Sequence, residues 1–224
     1  MKYFVLLFVL CAILNSKKQS QQTIFETDRF LYWQNGTEIN FDDFTLPIDS
    51  SGIKLCEKYG TNSLANIQIH SILDYPKNKR SLKTLDPKIY FAPSFCKDCS
   101  LLLQRDSSEL KLAQLYFDIA EYCVRLTRKN IIQLENNGKG LAAAAFPRIV
   151  DEMYKLMGEM FGAVVTQVLI DKKPEAYKKW RKDCDNLLNE TKGFATTQTD
   201  CLRFINKKPY SDKYFESYAV YGKE

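Results

Sequence analysis

Histidine is nearly missing from this chain: one, His70, stands among 224 residues. A lone imidazole cannot build a metal cage or a histidine-paired triad without partners of other kinds. Membrane-length apolar runs are missing too. The N-terminal one, Tyr3 to Leu14, covers only about twelve residues, against about 20 for a spanning helix. The Cys96-x-x-Cys99 pair has no second closely spaced pair to complete a zinc ribbon, since Cys184 and Cys201 lie too far apart. No Lys/Arg cluster is interleaved with aromatics, which argues against nucleic acid as the partner. Internal repeats are absent as well.

What is present reads as one globular domain. Hydrophobic residues make up 45% of the chain and charged ones 26%, in a length that suits a single core. Lys2 followed by the short apolar run has the form of a signal peptide over residues 1–20, with no transmembrane span left after its removal. Val9 and Leu10 before Cys11 argue against a lipid anchor there. Losing residues 1–20, which carry three lysines and no acid, lowers the formal charge from +5 to +2. The expected location is outside the cytoplasm: periplasmic, envelope-associated or secreted. Six cysteines would remain, and their even number permits disulfides without fixing the pairing.

The pattern along the chain predicts an α+β fold, a small antiparallel sheet followed by two or three packed helices. A domain over 23–205 would precede a tail, 206–224, rich in Tyr and Lys. Asn35-Gly36 between apolar stretches predicts a hairpin near 30–41. Residues 47–52 read as loop. Alternation over 66–75 predicts a half-buried strand that places His70 on its surface or edge. Residues 76–83 read as a basic connection, and 88–93 as a short strand. Ala92 to Phe95 read as loop, so Cys96 and Cys99 lack the strand-to-helix setting of a redox motif and are taken as a structural or incidental thiol pair.

The clearest helix is Glu109 to Arg128, opened by a capping box in which Asp106 accepts from the first turn and Glu109 reaches back. Leu112, Tyr116, Ile119, Cys123 and Leu126 form its core stripe. Asp118, Glu121, Arg125 and Arg128 read as a solvated face, with Glu121 and Arg125 paired at i, i+4. Pro147 opens a second helix expected to be buried on two sides, with Gly158 and Gly162 allowing close approach of a neighbour. Residues 175–189 form a third, and the tail reads as a docked helix or disorder.

The run Gln114-Leu115-Tyr116-Phe117-Asp118-Ile119-Ala120-Glu121 resembles a stretch in a bacterial family of unknown function regarded as secreted zinc-dependent proteases. There the helix reads His-Glu-Gln-x-His-Phe-Asp-Ile-Ala-Glu. Trp33, the segment Ile39 to Phe44, and Trp180 are similar to further family positions, so the resemblance covers roughly residues 25–190. It implies a zincin-like architecture. Zinc chemistry on that helix needs two imidazoles one turn apart and a glutamate as general base. The corresponding positions here are Leu112, Ala113 and Tyr116, and Val168 falls where the family's further histidine is expected, with Thr166 as counterpart threonine.

The resemblance therefore implies a non-catalytic relative with no metal and no cofactor, acting through an unidentified protein or envelope partner. Two alternatives remain open: an exported hydrolase with relocated catalytic residues, or a thiol-disulfide protein working through Cys96 and Cys99. Asp118 and Glu121, or Asp151, Glu152 and Glu159, could bind a hard cation such as Ca²⁺, but read better as solvated charges.

Overall fold

The longest strand organises the molecule, and both of its faces are covered. In the computed structural model, which describes residues 25–78 and 84–221, β3 (Ile67–Pro76) pairs antiparallel with β4 (Lys88–Cys96) on one side and β6 (Tyr214–Val220) on the other. The expected signal segment 1–20, with Cys11, lies outside the described residues, as do 79–83 of the basic connection and the ends of the expected domain and tail. The sheet order is β1-β4-β3-β6, with β1 (Phe30–Tyr32) paired to the end of β4. A second, two-stranded sheet joins β2 (Ser63–Leu64) to β5 (Leu101–Leu102).

Among the described residues, five helices longer than two turns surround these strands, besides a single turn over Leu141–Ala144. They are α1 (Ser50–Tyr59), α2 (Ser107–Asn137), α3 (Phe146–Val164), α4 (Ala176–Glu190) and α5 (Gln198–Asn206). The protein is thus α+β, as its pattern predicts. The main core lies between one face of the sheet and helices α2 and α3, with Ile69, Phe91, Phe95, Leu115, Phe117, Ile119, Phe146 and Met153 all sealed. A smaller core on the opposite face joins Phe25, Tyr32, Ile72 and Ala92 to Cys201 and Phe204 of α5.

That second core explains the first departure from the sequence reading. His70 belongs to the face that α5 covers, and it is 1% exposed rather than at a surface or edge. Alternation in β3 marks two buried faces instead of one wet and one dry. Residues 206–224 depart too, since β6 completes the sheet where a docked helix or disorder was expected, with Ile72 opposite Ala219 and Leu73 opposite Tyr218. A tyrosine every fourth residue reads as helix-like spacing; pairing with an open strand edge overrides it. Fully buried Arg203 of α5 ties the three elements together, donating to both carboxylate oxygens of Asp74 at 2.8 and 2.7 Å and to Glu216 of β6 at 2.8 Å.

At the N-terminal end the Asn35-Gly36 turn forms, with Gly36 at φ 83° and the Thr37 amide donating to Gln34. No second strand follows it. The Ile39 amide instead donates to the side chain of Gln114, at 3.0 Å, which anchors the segment on α2. The expected loop 47–52 contains the start of α1, whose Asp49 carboxylate accepts the Gly52 amide at 2.7 Å and whose Gly60 closes the helix at φ 64°.

Helix α2 starts at Asp106 as predicted, its carboxylate accepting the Ser108 amide at 2.9 Å, and ends where Asn136-Asn137-Gly138 stops it. Glu109 does not complete a capping box. It reaches across to the strand β2 region, accepting from Thr61 Oγ1 at 2.8 Å, Asn62 N at 2.9 Å and Ser63 Oγ at 2.6 Å. The expected solvated face of α2 is covered as well. Asp118 accepts from Trp33 Nε1 and from Arg181 of α4, both at 2.7 Å. Glu121 is fully buried and accepts from Arg125 at 2.7 Å and from the amide and hydroxyl of Thr196 at 2.9 and 2.6 Å. Charge spacing predicts a polar face, yet a complementary polar partner can bury one.

Helix α3 buries a single stripe, Phe146, Ile149, Val150, Met153, Met157 and Val164, rather than two sides. A Cβ built on Gly158 or Gly162 meets nothing within 4 Å, so no neighbour approaches there. Beyond Val164 the helix widens into a π-turn over Val165–Ile170.

Candidate functional site

The positions that the zinc-protease resemblance assigns to metal and base meet at the wall of a cavity. Leu112 and Ala113 are 7% and 1% exposed, and Tyr116 stands one turn further on. The cavity, about 540 Å³, is bounded on one side by this stretch of α2. Leu55 and Tyr59 of α1, Ile67 at the start of β3, Phe161 of α3, and Val165 and Leu169 of the π-turn supply much of the rest. Its size falls within the range of small-molecule sites, about 300–1,000 Å³. Val168 packs against the main core rather than lining the space.

Each wall has a local cause. Asp49 and Gly60 fix both ends of α1, which carries Leu55 and Tyr59 to the rim. The π-turn shifts the register of α3 so that Val165 and Leu169 both face the same space, and such widened turns recur at functional sites. Glu109 clamps the 61–63 segment beneath, which leaves the Thr61 and Ser63 hydroxyls committed to its carboxylate.

One polar group stays uncommitted. The Tyr116 hydroxyl is shut off from solvent and has no hydrogen-bond partner among the described residues, while its ring meets Phe161 edge-on at 4.9 Å. Burial, with the nearby Glu109 charge, holds its pKa well above the usual phenol value, so it is a neutral donor at physiological pH. An apolar cavity with one such donor suits an apolar molecule carrying a single acceptor oxygen. Exposed apolar side chains continue outward from the mouth, Ile53 and Leu55 on α1 and Ile170 beyond Leu169.

The donor set for zinc does not fit. Leu112 and Ala113 offer no ligand atom, the Tyr116 phenol is held protonated, and His70 lies on the face of the sheet beneath α5. Asp118 and Glu121 are saturated by Trp33, Arg181, Arg125 and Thr196, so they are not open to a cation either. Among the described residues, the one close group of three ligand-bearing side chains is Cys96, Asp98 and Cys99, and its two sulfurs are joined as a disulfide.

That disulfide has a setting the sequence misjudges. Ala92 to Phe95 belong to strand β4, and the pair opens a 3₁₀ turn over Lys97–Cys99 at the strand's end. Cys96 is sealed, whereas Cys99 is half-buried and lines the cavity, with Arg29 Nη2 3.8 Å from its sulfur. The other four cysteines among the described residues, Cys56, Cys123, Cys184 and Cys201, are buried free thiols. Burial pushes the thiols of Cys123, Cys184 and Cys201 up to about 12, which leaves them unreactive.

Fold and site together define an α+β domain with an apolar, half-enclosed cavity beneath a helical rim. No protein-family model, curated protein or solved structure matches the chain. No helix among the described residues is long and apolar enough to cross a membrane.

Proposed function

We propose that this chain is a non-catalytic, exported binding protein that holds an apolar molecule bearing one acceptor oxygen, such as an acyl chain. It stands to zinc-dependent proteases as a relative whose metal site has become a ligand cavity. One observation carries the reading: Leu112, Ala113 and Tyr116 wall a cavity of about 540 Å³ whose one uncommitted buried donor is the Tyr116 hydroxyl. A polar, hydrogen-bonded surround would suit a metal; this one suits hydrocarbon.

A dansyl-labelled undecanoic acid titrated into the purified protein tests it. Saturable binding is expected, abolished by Leu169→Trp, which fills the cavity. Tyr116→Phe should weaken it by about five- to tenfold, the worth of one hydrogen bond of roughly 1–1.5 kcal/mol. Binding untouched by Leu169→Trp, or one tightly held zinc per chain by elemental analysis, would overturn the proposal.

A second reading has its own support in the setting of Cys99. Once dithiothreitol has reduced the Cys96–Cys99 bond, the Cys99 thiolate, beside Arg29 at the cavity edge, would attack a substrate disulfide and release one substrate thiol, and Cys96 would resolve the mixed disulfide, releasing the second and re-forming the bond. Catalysed reduction of insulin by dithiothreitol, lost in Cys99→Ser, is the expected sign of this activity. A rate equal to that without protein removes it.

A further inference from the structure

A second cavity lies on the other face of the sheet, and the chain's one histidine lines it. His70 sits in the middle of β3 opposite Ala92, with Nε2 2.8 Å from Ser94 Oγ on β4. Its Nδ1 is buried and has no partner among the described residues. Rings surround the imidazole, with centroids 4.7 Å away for Phe30, 5.5 Å for Tyr32, 5.4 Å for Phe204 and 6.5 Å for Tyr221. These residues bound about 410 Å³ of space whose rim carries Lys207, Asp28 and Arg29, the last held by the Asp98 carboxylate at 3.1 Å.

An aromatic-walled pocket can hold a quaternary ammonium through its ring faces. The rim argues against that occupant here. Burial first, and then the charges of Arg29 and Lys207, disfavour the imidazolium at His70, and a cationic ligand would meet the same two costs. The Arg29 guanidinium also lies 5.3 Å from the Phe30 ring centre, already in the cation–π position on that ring.

The neutral imidazole adds a versatile contact. If Nε2–H donates to Ser94, Nδ1 accepts; if the Ser94 hydroxyl donates to Nε2, Nδ1–H donates. An unpaired buried nitrogen of this kind costs the fold stability, which a ligand group would recover. Flat aromatic walls, a rim lysine with no acid paired to it among the described residues and one buried hydrogen-bonding nitrogen together specify the occupant.

We propose that the pocket around His70 binds a planar aromatic carboxylate, its ring stacked among Phe30, Tyr32, Phe204 and Tyr221 and its anion at Lys207. The site is separate from the apolar cavity, and a polar ring substituent such as an indole or phenol proton reaches Nδ1.

A single histidine makes the test specific, because ¹⁵N-labelled protein gives one imidazole spectrum. Indole-3-acetate at millimolar concentration is expected to shift the Nδ1 resonance saturably. The amine tryptamine, with the same ring and opposite charge, should not. Lys207 is exposed, so Lys207→Glu leaves the fold intact and should weaken indole-3-acetate by about tenfold, the equivalent of ~1.4 kcal/mol. Leu169→Trp, which blocks the other cavity, should leave this binding unchanged and so separates the two sites. Absence of a saturable shift, an equal response to tryptamine, or unaltered affinity in Lys207→Glu overturns the proposal.

Discussion

At the scale of single residues, burial decides what each ionisable group can do. His70 has its pKa lowered to about 4, first by burial and then by the charges of Arg29 and Lys207. It is neutral in the fold, whereas the unfolded chain takes up a proton below about pH 6.5. Stability should therefore fall as the pH drops from that value toward the folded pKa, by on the order of 2 kcal/mol between pH 7 and pH 5. Urea midpoints at the two pH values should show this loss in the native chain and not in His70→Gln. Glu121 makes the opposite kind of case. Burial raises its carboxyl pKa while Arg128 and Arg125 oppose the rise, and Thr196 supplies two further donors. Replacing it by Gln leaves Arg125 buried beside a neutral amide, and the unfolding free energy should drop by about 3 kcal/mol in a denaturant titration. Residue type alone did not disclose either environment. One histidine in an alternating strand reads as an edge residue, and Glu121 with Arg125 reads as a surface pair, because the covering groups come from α5 and Thr196, far along the chain.

Among the elements, those with strong local signals were legible and those made by distant pairing were not. Asp106 and Asn136-Asn137-Gly138 bracket α2 in the sequence as in space. Helix α1 carries equally good signals, Asp49 at its start and Gly60 at its end, but the Pro47–Gly52 composition pointed to loop. Leu112, Ala113 and Tyr116 lie within one turn of α2 and share a cavity wall, which helical spacing alone makes legible. The facing wall, the π-turn after α3, has no sequence mark, since its widened register depends on what it packs against. Gly158 and Gly162 gave a misleading mark. With open space around both, Gly158→Ala and Gly162→Ala should each stabilise the protein, by about 0.5–1 kcal/mol, through helix propensity and a less flexible unfolded chain. A rise in thermal midpoint of the double variant checks this; a fall would mean that a neighbour does occupy that face.

For the whole molecule, the fold class followed from pattern while the closing of the sheet did not. Strand β6 covers the edge of β3 and brings Glu216 to Arg203, so residues beyond 206 are part of the domain's structure. Ending the chain at Lys208 should expose that edge and strip one carboxylate from a buried guanidinium. The expected result is loss of at least about 3 kcal/mol, together with self-association on size-exclusion chromatography. The sheet also has a temporal side. Ser71 pairs with Val220, far along the chain, so a nascent chain cannot finish its sheet until that segment has been made. Until then the edge of β3 is open to any chaperone or passing strand.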